Sequence, residues 1–399
     1  MSAHHPGAHN PSAHKPARLP EALYRVGAYF LPRLMFLQTR QGPQTHWGDV
    51  AVALQDFPED LLDLSSGAFW QEWKVRWSAL AEDYVAGAQA ALTPAGARRA
   101  WRSAAACYHW AEFMYFDDPL EKTRLRQAVK DCFALGIDHQ ALRLTTGQFV
   151  HDGVTIPYYL ALPPGAGAHR VPCVVLSNGL DSVTELEVYA FAEQFLDRGL
   201  AVFMFDGPGQ GINVGRNPVP LRFEHIAERI VALLENEPAL DARALGFFGV
   251  SFGGHLALRV ARHLGDRFRA VVNLSGGPAI APFAGLPRRL KEDFRFAFQG
   301  ADEAAMQDAF DDLALPPFPL ATDLLSIHGA RDDIFPLAAL AALAEAQGER
   351  HTLQVYPGEA HVCLNYINQY TTGLADWMAA RLARVQPAHP QLHSTEQPS

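Results

Sequence analysis

The spacing of apolar positions changes character near residue 139. From about 21 to 139 it is helical. Trp70, Trp73 and Trp77 stand at i, i+3 and i+7, which is one face of a helix, and a second such run goes from Ala100 to Phe113. Thr93-Pro94 and Asp117-Asp118-Pro119 cut this region into separate helices, because proline fits a first helical turn and breaks the one before it.

Beyond Gly136 the texture becomes that of strands. Ala141-Leu142-Arg143-Leu144-Thr145 and Thr155-Ile156-Pro157-Tyr158-Tyr159-Leu160 flank the turn signal His151-Asp152-Gly153, which predicts a hairpin. Short apolar runs then follow at 173–177, 201–205, 244–250, 270–274, 324–328 and 352–355. Helical stretches lie near 184–198, 222–236, 252–264, 336–347 and 365–385. Strands joined by crossover helices at this spacing predict an α/β protein with a mostly parallel sheet covered on both faces. The segment 281–316 interrupts the rhythm: it opens with Pro282 and Pro287, carries an amphipathic stretch through Met306 and Phe310, and ends at Pro316-Pro317. It reads as a helical excursion between two strands, either a long connection or part of a lid. The expected organisation is a low-complexity tail over 1–20, a helical region over 21–139, an α/β region over 140–386 with a helical lid insertion at 281–316, and a second tail over 387–399.

Composition narrows the function classes. The chain has 399 residues and a net charge of −10, so it lacks the basic excess of a general nucleic-acid binder. No apolar run is long enough to span a bilayer, and the start, MSAHHPGAHNP, has no apolar core of a secretory signal. Cys107, Cys132, Cys173 and Cys363 are scattered without a CxxC, which argues for reduced thiols and a cytoplasmic setting rather than a disulfide framework. His4, His5, His9 and His14 could grip a metal, but the plain reading is a solvated arm. Six of the seven tryptophans lie in the helical region. They form an ordinary helical core or, alternatively, some of them line an apolar substrate cavity.

The chemistry centres on Gly249-Val250-Ser251-Phe252-Gly253-Gly254, which follows one strand pattern and opens a helix. A G-x-S-x-G pattern in that context forms a tight elbow that exposes the serine, with the helix N-terminus behind it. A serine hydroxyl needs a base. His361, in Tyr356-Pro357-Gly358-Glu359-Ala360-His361 after the last strand, is the best candidate. The acid that orients it should be Asp332 in the loop after strand 324–328, with Asp333 as the alternative; otherwise Asp333 would cap the next helix. The chain order Ser251, Asp332, His361 is that of hydrolases with this elbow. Two backbone N–H groups should receive the oxyanion: that of Phe252, and that of Leu180 (or Gly179) in Asn178-Gly179-Leu180-Asp181-Ser182. Asp206-Gly207-Pro208-Gly209-Gln210-Gly211 lacks the residues of a phosphate loop and reads as a structural turn near the site. A metal site at His328, Asp332 and His361 is the weaker explanation of the same residues.

On these residues, the sequence over about 140–386 resembles the α/β-hydrolase superfamily. More narrowly, it is similar to the branch holding pseudooxynicotine hydrolase and the fungal yellowish-green pigment hydrolases. The matching stretches are Asn178 to Ser182, Phe205 to Gly211, the Ser251 elbow, Gly329 to Asp332 and Gly358 to His361. The resemblance implies an α/β-hydrolase fold, an N-terminal helical cap over the site, and hydrolysis of a C–C bond next to a carbonyl. It also implies an extra acid in the lid, for which Glu292 or Asp293 is the candidate. Asn178 and Ile212 depart from the pattern, where His and Glu are expected.

The reading is a cofactor-free serine hydrolase acting on a bulky apolar or aromatic small molecule, with neither nucleic acid nor membrane as partner and a homodimer left open. In the C–C variant the substrate is β-diketone-like, so that the departing carbanion is an enolate. The alternatives are a carboxylesterase or acyl hydrolase, a serine peptidase, and a non-catalytic binding protein on the same scaffold. A peptidase of the prolyl-oligopeptidase type would carry a β-propeller before the sheet, where this chain has a short helical region.

Overall fold

A computed structural model describes Arg33, residues 38–139 and residues 142–383. The sequence-derived tails over 1–20 and 387–399, with the four histidines of the first, lie outside the described residues. Among residues 38–139, four α-helices precede the sheet: α1 (Trp47–Leu54), α2 (Gly67–Gln89), α3 (Pro94–Glu112) and α4 (Pro119–Gly136). The breakers act as expected. Thr93 caps α3 by accepting from the Gly96 N–H and Asp118 caps α4 through the Leu120 and Glu121 N–H groups, each with proline at the first helical position.

Eight strands follow: β1 (Leu144–His151), β2 (Val154–Ala161), β3 (Val171–Ser177), β4 (Ala201–Phe205), β5 (Leu240–Val250), β6 (Ala270–Leu274), β7 (Asp323–Gly329) and β8 (His351–Tyr356). They form one sheet in the order β8-β7-β6-β5-β3-β4-β2-β1. Pairing is parallel from β8 across to β4 and antiparallel in β4–β2 and β2–β1. The first strand lies later than its apolar pattern suggests. It runs up to the turn at Asp152 and Gly153, both at positive φ, and Leu144 pairs with Ala161. Its middle is polar because β1 is an edge strand with residues open to water on both sides of Phe149.

The crossover helices are α5 (Tyr189–Leu196), preceded by a π turn over Thr184–Val188, α6 (Glu224–Glu235), α7 (Phe252–His263), α10 (Leu337–Gln347) and α11 (Ile367–Leu382). The 281–316 segment holds two helices, α8 (Arg288–Phe298) and α9 (Glu303–Leu313). Alternate residues of β3 feed two cores. Val174 and Leu176 join α2–α5 and α11 on one face, and Cys173 and Val175 join α6–α10 on the other. Among the described residues, no helix is long and apolar enough to cross a membrane.

Candidate active site

Ser251 stands between β5 and α7 with φ 58° and ψ −120°, a conformation rare for a residue with a side chain. Packing enforces it. The Ser251 N–H donates to the Leu274 carbonyl at 2.8 Å. A Cβ at position 249 would lie 1.8 Å from the Gly253 oxygen, and one at 253 would lie 2.4 Å from the carbonyl oxygens of Ser177 and Asn178. Only glycine lets strand, turn and helix approach this closely.

Loops after β7 and β8 bring two side chains to this hydroxyl. His361 Nε2 lies 2.7 Å from Ser251 Oγ, and His361 Nδ1 lies 2.7 Å from Asp332 Oδ2. With the Nδ1–H donating a hydrogen bond to the carboxylate, Nε2 is free to accept the serine proton. Burial disfavours the charged imidazole, but the adjacent Asp332 carboxylate, its hydrogen bond and the charges of Asp181 and Asp333 outweigh it. The His361 pKa is therefore raised. Burial likewise opposes the Asp332 charge, yet His361 and the neighbouring His328 hold its pKa below the usual value. The other oxygen, Oδ1, accepts from the Ile334 and Phe335 N–H groups at 2.9 and 3.0 Å. Asp333 points outward and is exposed; it does not cap α10, whose N-cap is Pro336.

Two residues that sequence motifs did not mark hold the histidine loop. Val362 and Cys363 have φ of 67° and 51°. Ser275 Oγ accepts the Val362 N–H at 2.9 Å, and Tyr370 donates its hydroxyl to the Val362 carbonyl at 2.8 Å. His328 gives its Nε2 to the Phe335 carbonyl at 2.8 Å. Among the described residues, no group of three or more His, Cys, Asp or Glu side chains is placed to hold a metal ion.

The loop after β3 faces the elbow. Leu180 and Phe252 line the same cavity as Ser251 and His361. Among the described residues, no backbone carbonyl takes up the amide of either. Asn178, in place of the expected histidine, is tied down by its side chain: Nδ2 donates to Asp206 Oδ1 at 2.9 Å and to Thr184 Oγ1 at 2.6 Å. Gln210 Nε2 donates to the Asn178 carbonyl at 2.5 Å. The 206–211 segment is thus a turn that braces this loop.

The cavity walls are largely apolar, supplied chiefly by Phe191, Phe252, Phe294 and Phe335, with a charged corner where Arg33, Asp181, Glu187 and Asp293 meet. No tryptophan lines it: Trp70, Trp73, Trp77 and Trp110 are buried in the core of the N-terminal helices, so the helical-core reading holds for them. The cavity volume is about 40 Å³, small beside the roughly 300–1,000 Å³ of most small-molecule sites. Helix α8 is one wall, through Leu290, Asp293 and Phe294. Of the two acidic candidates there, Glu292 pairs with Arg288 and Arg289, at 3.1 and 2.5 Å. Asp293 faces the cavity with Oδ1 unpartnered, and burial followed by the Asp181 charge pushes its pKa up to about 7.

A seryl hydroxyl on a strained elbow, hydrogen-bonded to an imidazole at the carboxyl edge of a parallel sheet, defines a class: this is a hydrolase of the α/β-hydrolase fold. The family model of FrsA-like esterases matches residues 50–285, and the chain belongs to that family. The model of the prolyl oligopeptidase family matches residues 188–384, which begin after the N-terminal helices. Among relatives, the 2,6-dihydropseudooxynicotine hydrolase of Paenarthrobacter nicotinovorans is 27% identical over 321 residues, 77% of this chain and 83% of that one. The 20-hydroxy-prefusarin hydrolase FUS2 of Gibberella moniliformis is 30% identical over 220 residues, 52% of this chain and 51% of that protein. The match thus spans about half the length of that fungal relative. A crystal structure of the 2,6-dihydroxy-pseudo-oxynicotine hydrolase superposes with a TM-score of 0.71 at 24% identity, covering 88% of this chain and 96% of that one, and shares its fold. The expected kinship with this branch holds.

Proposed function

We propose that this hydrolase works through Ser251 as nucleophile, His361 as general base and then acid, and Asp332 as the group that orients His361 and offsets its charge. Ser251 Oγ attacks a carbonyl carbon, its proton passes to His361 Nε2, and the resulting oxyanion is received by the Phe252 and Leu180 amides. The observation that carries this reading is the unbroken pair of 2.7 Å hydrogen bonds from Ser251 through His361 to Asp332, in the wall of one cavity. In this reading the N-terminal helices and the 281–316 segment form a cap and lid. The phenylalanine-lined walls suit an apolar or aromatic substrate. The four buried free cysteines suit a reducing, cytoplasmic setting.

The bond we favour is a C–C bond of a β-diketone-like compound, in keeping with the relative named for pseudooxynicotine hydrolysis. Asp293, with a pKa near 7 in the cavity wall, supports it as a proton source for the departing enolate carbon. The second reading, hydrolysis of a carboxylic ester, is favoured by membership of an esterase family.

The test is product analysis by mass spectrometry on a panel of aryl β-diketones and aryl esters, with Ser251→Ala as control. Cleavage of diketones to an acid and a ketone, lost in Ser251→Ala, supports the first reading. Cleavage of esters alone replaces it with the second, and turnover that survives Ser251→Ala removes both.

A further inference from the structure

Six residues from distant parts of the chain close into a largely buried ring on Asp181, the residue that follows Leu180, one edge of which lines the cavity. Arg33 grips the Asp181 carboxylate with two hydrogen bonds, 2.7 and 3.1 Å, and grips Glu187 at 2.8 and 2.9 Å. Glu187 Oε1 lies 2.8 Å from His109 Nε2, and His109 Nδ1 lies 3.1 Å from Glu112 Oε1. Glu112 Oε2 accepts Arg126 Nε at 3.1 Å. Arg126 returns to the start, donating from Nη2 to the Asp181 carbonyl at 3.2 Å and from Nη1 to the Gly211 carbonyl at 2.7 Å. Lys122 Nζ braces Glu112 at its carboxylate, 2.5 Å, and at its carbonyl, 2.7 Å. His109 and Glu112 are fully buried, and Arg126 is 3% exposed.

Taking this many charges out of water gives little net stability compared with apolar packing of the same volume. What a guanidinium fork does supply is direction, because its donors fit one placement of their acceptors. Here both donor ends of Arg126 land on backbone. One holds the Asp181–Ser182 peptide, just beyond Leu180, and the other holds the 206–211 turn, whose Gln210 anchors Asn178. We propose that the ring fixes the Leu180 amide in its aim, and that Arg126, carried by α4, is a positioning residue for the oxyanion loop. The N-terminal helices then complete the site rather than only covering it. This proposal rests on the assignment of Ser251 as nucleophile and Leu180 as oxyanion donor.

The test uses the full chain and an alkyl fluorophosphonate. Ser251 Oγ bonds to phosphorus, the P–F bond breaks, fluoride leaves, the serine proton goes to His361, and the phosphoryl oxygen occupies the oxyanion position. The inactivation rate at saturation (kinact) is compared with the reversible affinity (KI) in wild type, Arg126→Met and Arg126→Lys. The expected result is kinact lowered about tenfold to a hundredfold in Arg126→Met with KI within about threefold, and partial recovery in Arg126→Lys. Equal kinact, or a loss confined to KI, in a folded Arg126→Met overturns the ring's role. Wild type left unlabelled at Ser251 instead overturns the underlying assignment. Should Arg126→Met fail to fold, Arg126→Gln, which keeps a donor but not the fork that spans the Asp181 and Gly211 carbonyls, decides by the same comparison.

Discussion

Gly179 faces Ser251 so closely that a Cβ on the glycine would sit 3.3 Å from the serine Cβ and 3.6 Å from its Oγ. In the proposed mechanism the space that Gly179 leaves is where a substrate carbonyl lies when the hydroxyl reaches it. Gly179→Ala is therefore expected to lower kcat/KM on an activated aryl ester by about tenfold to a hundredfold while leaving the fold intact. Steady-state kinetics beside a thermal melt checks this, and unchanged kinetics would place the carbonyl elsewhere.

The elbow makes a stability prediction. Gly249 cannot accept a side chain without moving the Gly253 backbone. Overpacking of this kind costs about 1–3 kcal/mol, so Gly249→Ala should unfold at lower urea with an unchanged slope. A variant as stable as wild type would show that the turn can relax.

The pH dependence follows from His361. Its pKa is raised by Asp332, and in the proposed mechanism only its neutral form takes the serine proton. Activity is therefore lost as pH falls, and the acid limb of kcat/KM should lie above the ordinary histidine value of about 6.5. Asp332→Asn removes the charge that raises the pKa. The limb should move to lower pH, and the plateau should fall by about 10⁴-fold as the useful tautomer is lost. A limb that stays in place in this variant would mean that another group titrates.

Asp293 separates the two bond types. If its carboxyl supplies the proton to an enolate, C–C cleavage must also decline as pH rises through about 7, where that proton is lost. Asp293→Asn should then shift the ratio of diketone to ester turnover by about 100-fold towards ester. An unchanged ratio would remove Asp293 from the chemistry.

The sequence displays what is local and repetitive. Both faces of β3–β7 are covered, so these strands stand out as apolar runs, and Thr93-Pro94 and Asp118-Pro119 mark helix starts by cap and ring geometry. Ser251, Asp332 and His361 are legible because each sits in a loop whose glycines and order carry the constraint. Other features leave no such trace. The polar centre of β1 reflects its edge position, known only once the sheet is assembled. Arg33, His109, Glu112, Arg126, Asp181 and Glu187 look like ordinary surface charges along the chain, and only tertiary packing buries them together. Tryptophans at helical spacing announce burial but not what is buried against them. Ser275 and Tyr370, which hold the loop of His361, belong to no motif.

The most direct measurement is peptide mapping after treatment with a fluorophosphonate, for wild type, Ser251→Ala and His361→Ala. The account requires a single adduct on the peptide containing Ser251 in wild type, none in Ser251→Ala, and labelling slowed by orders of magnitude in His361→Ala. An adduct on another residue, or equal labelling of all three proteins, contradicts it.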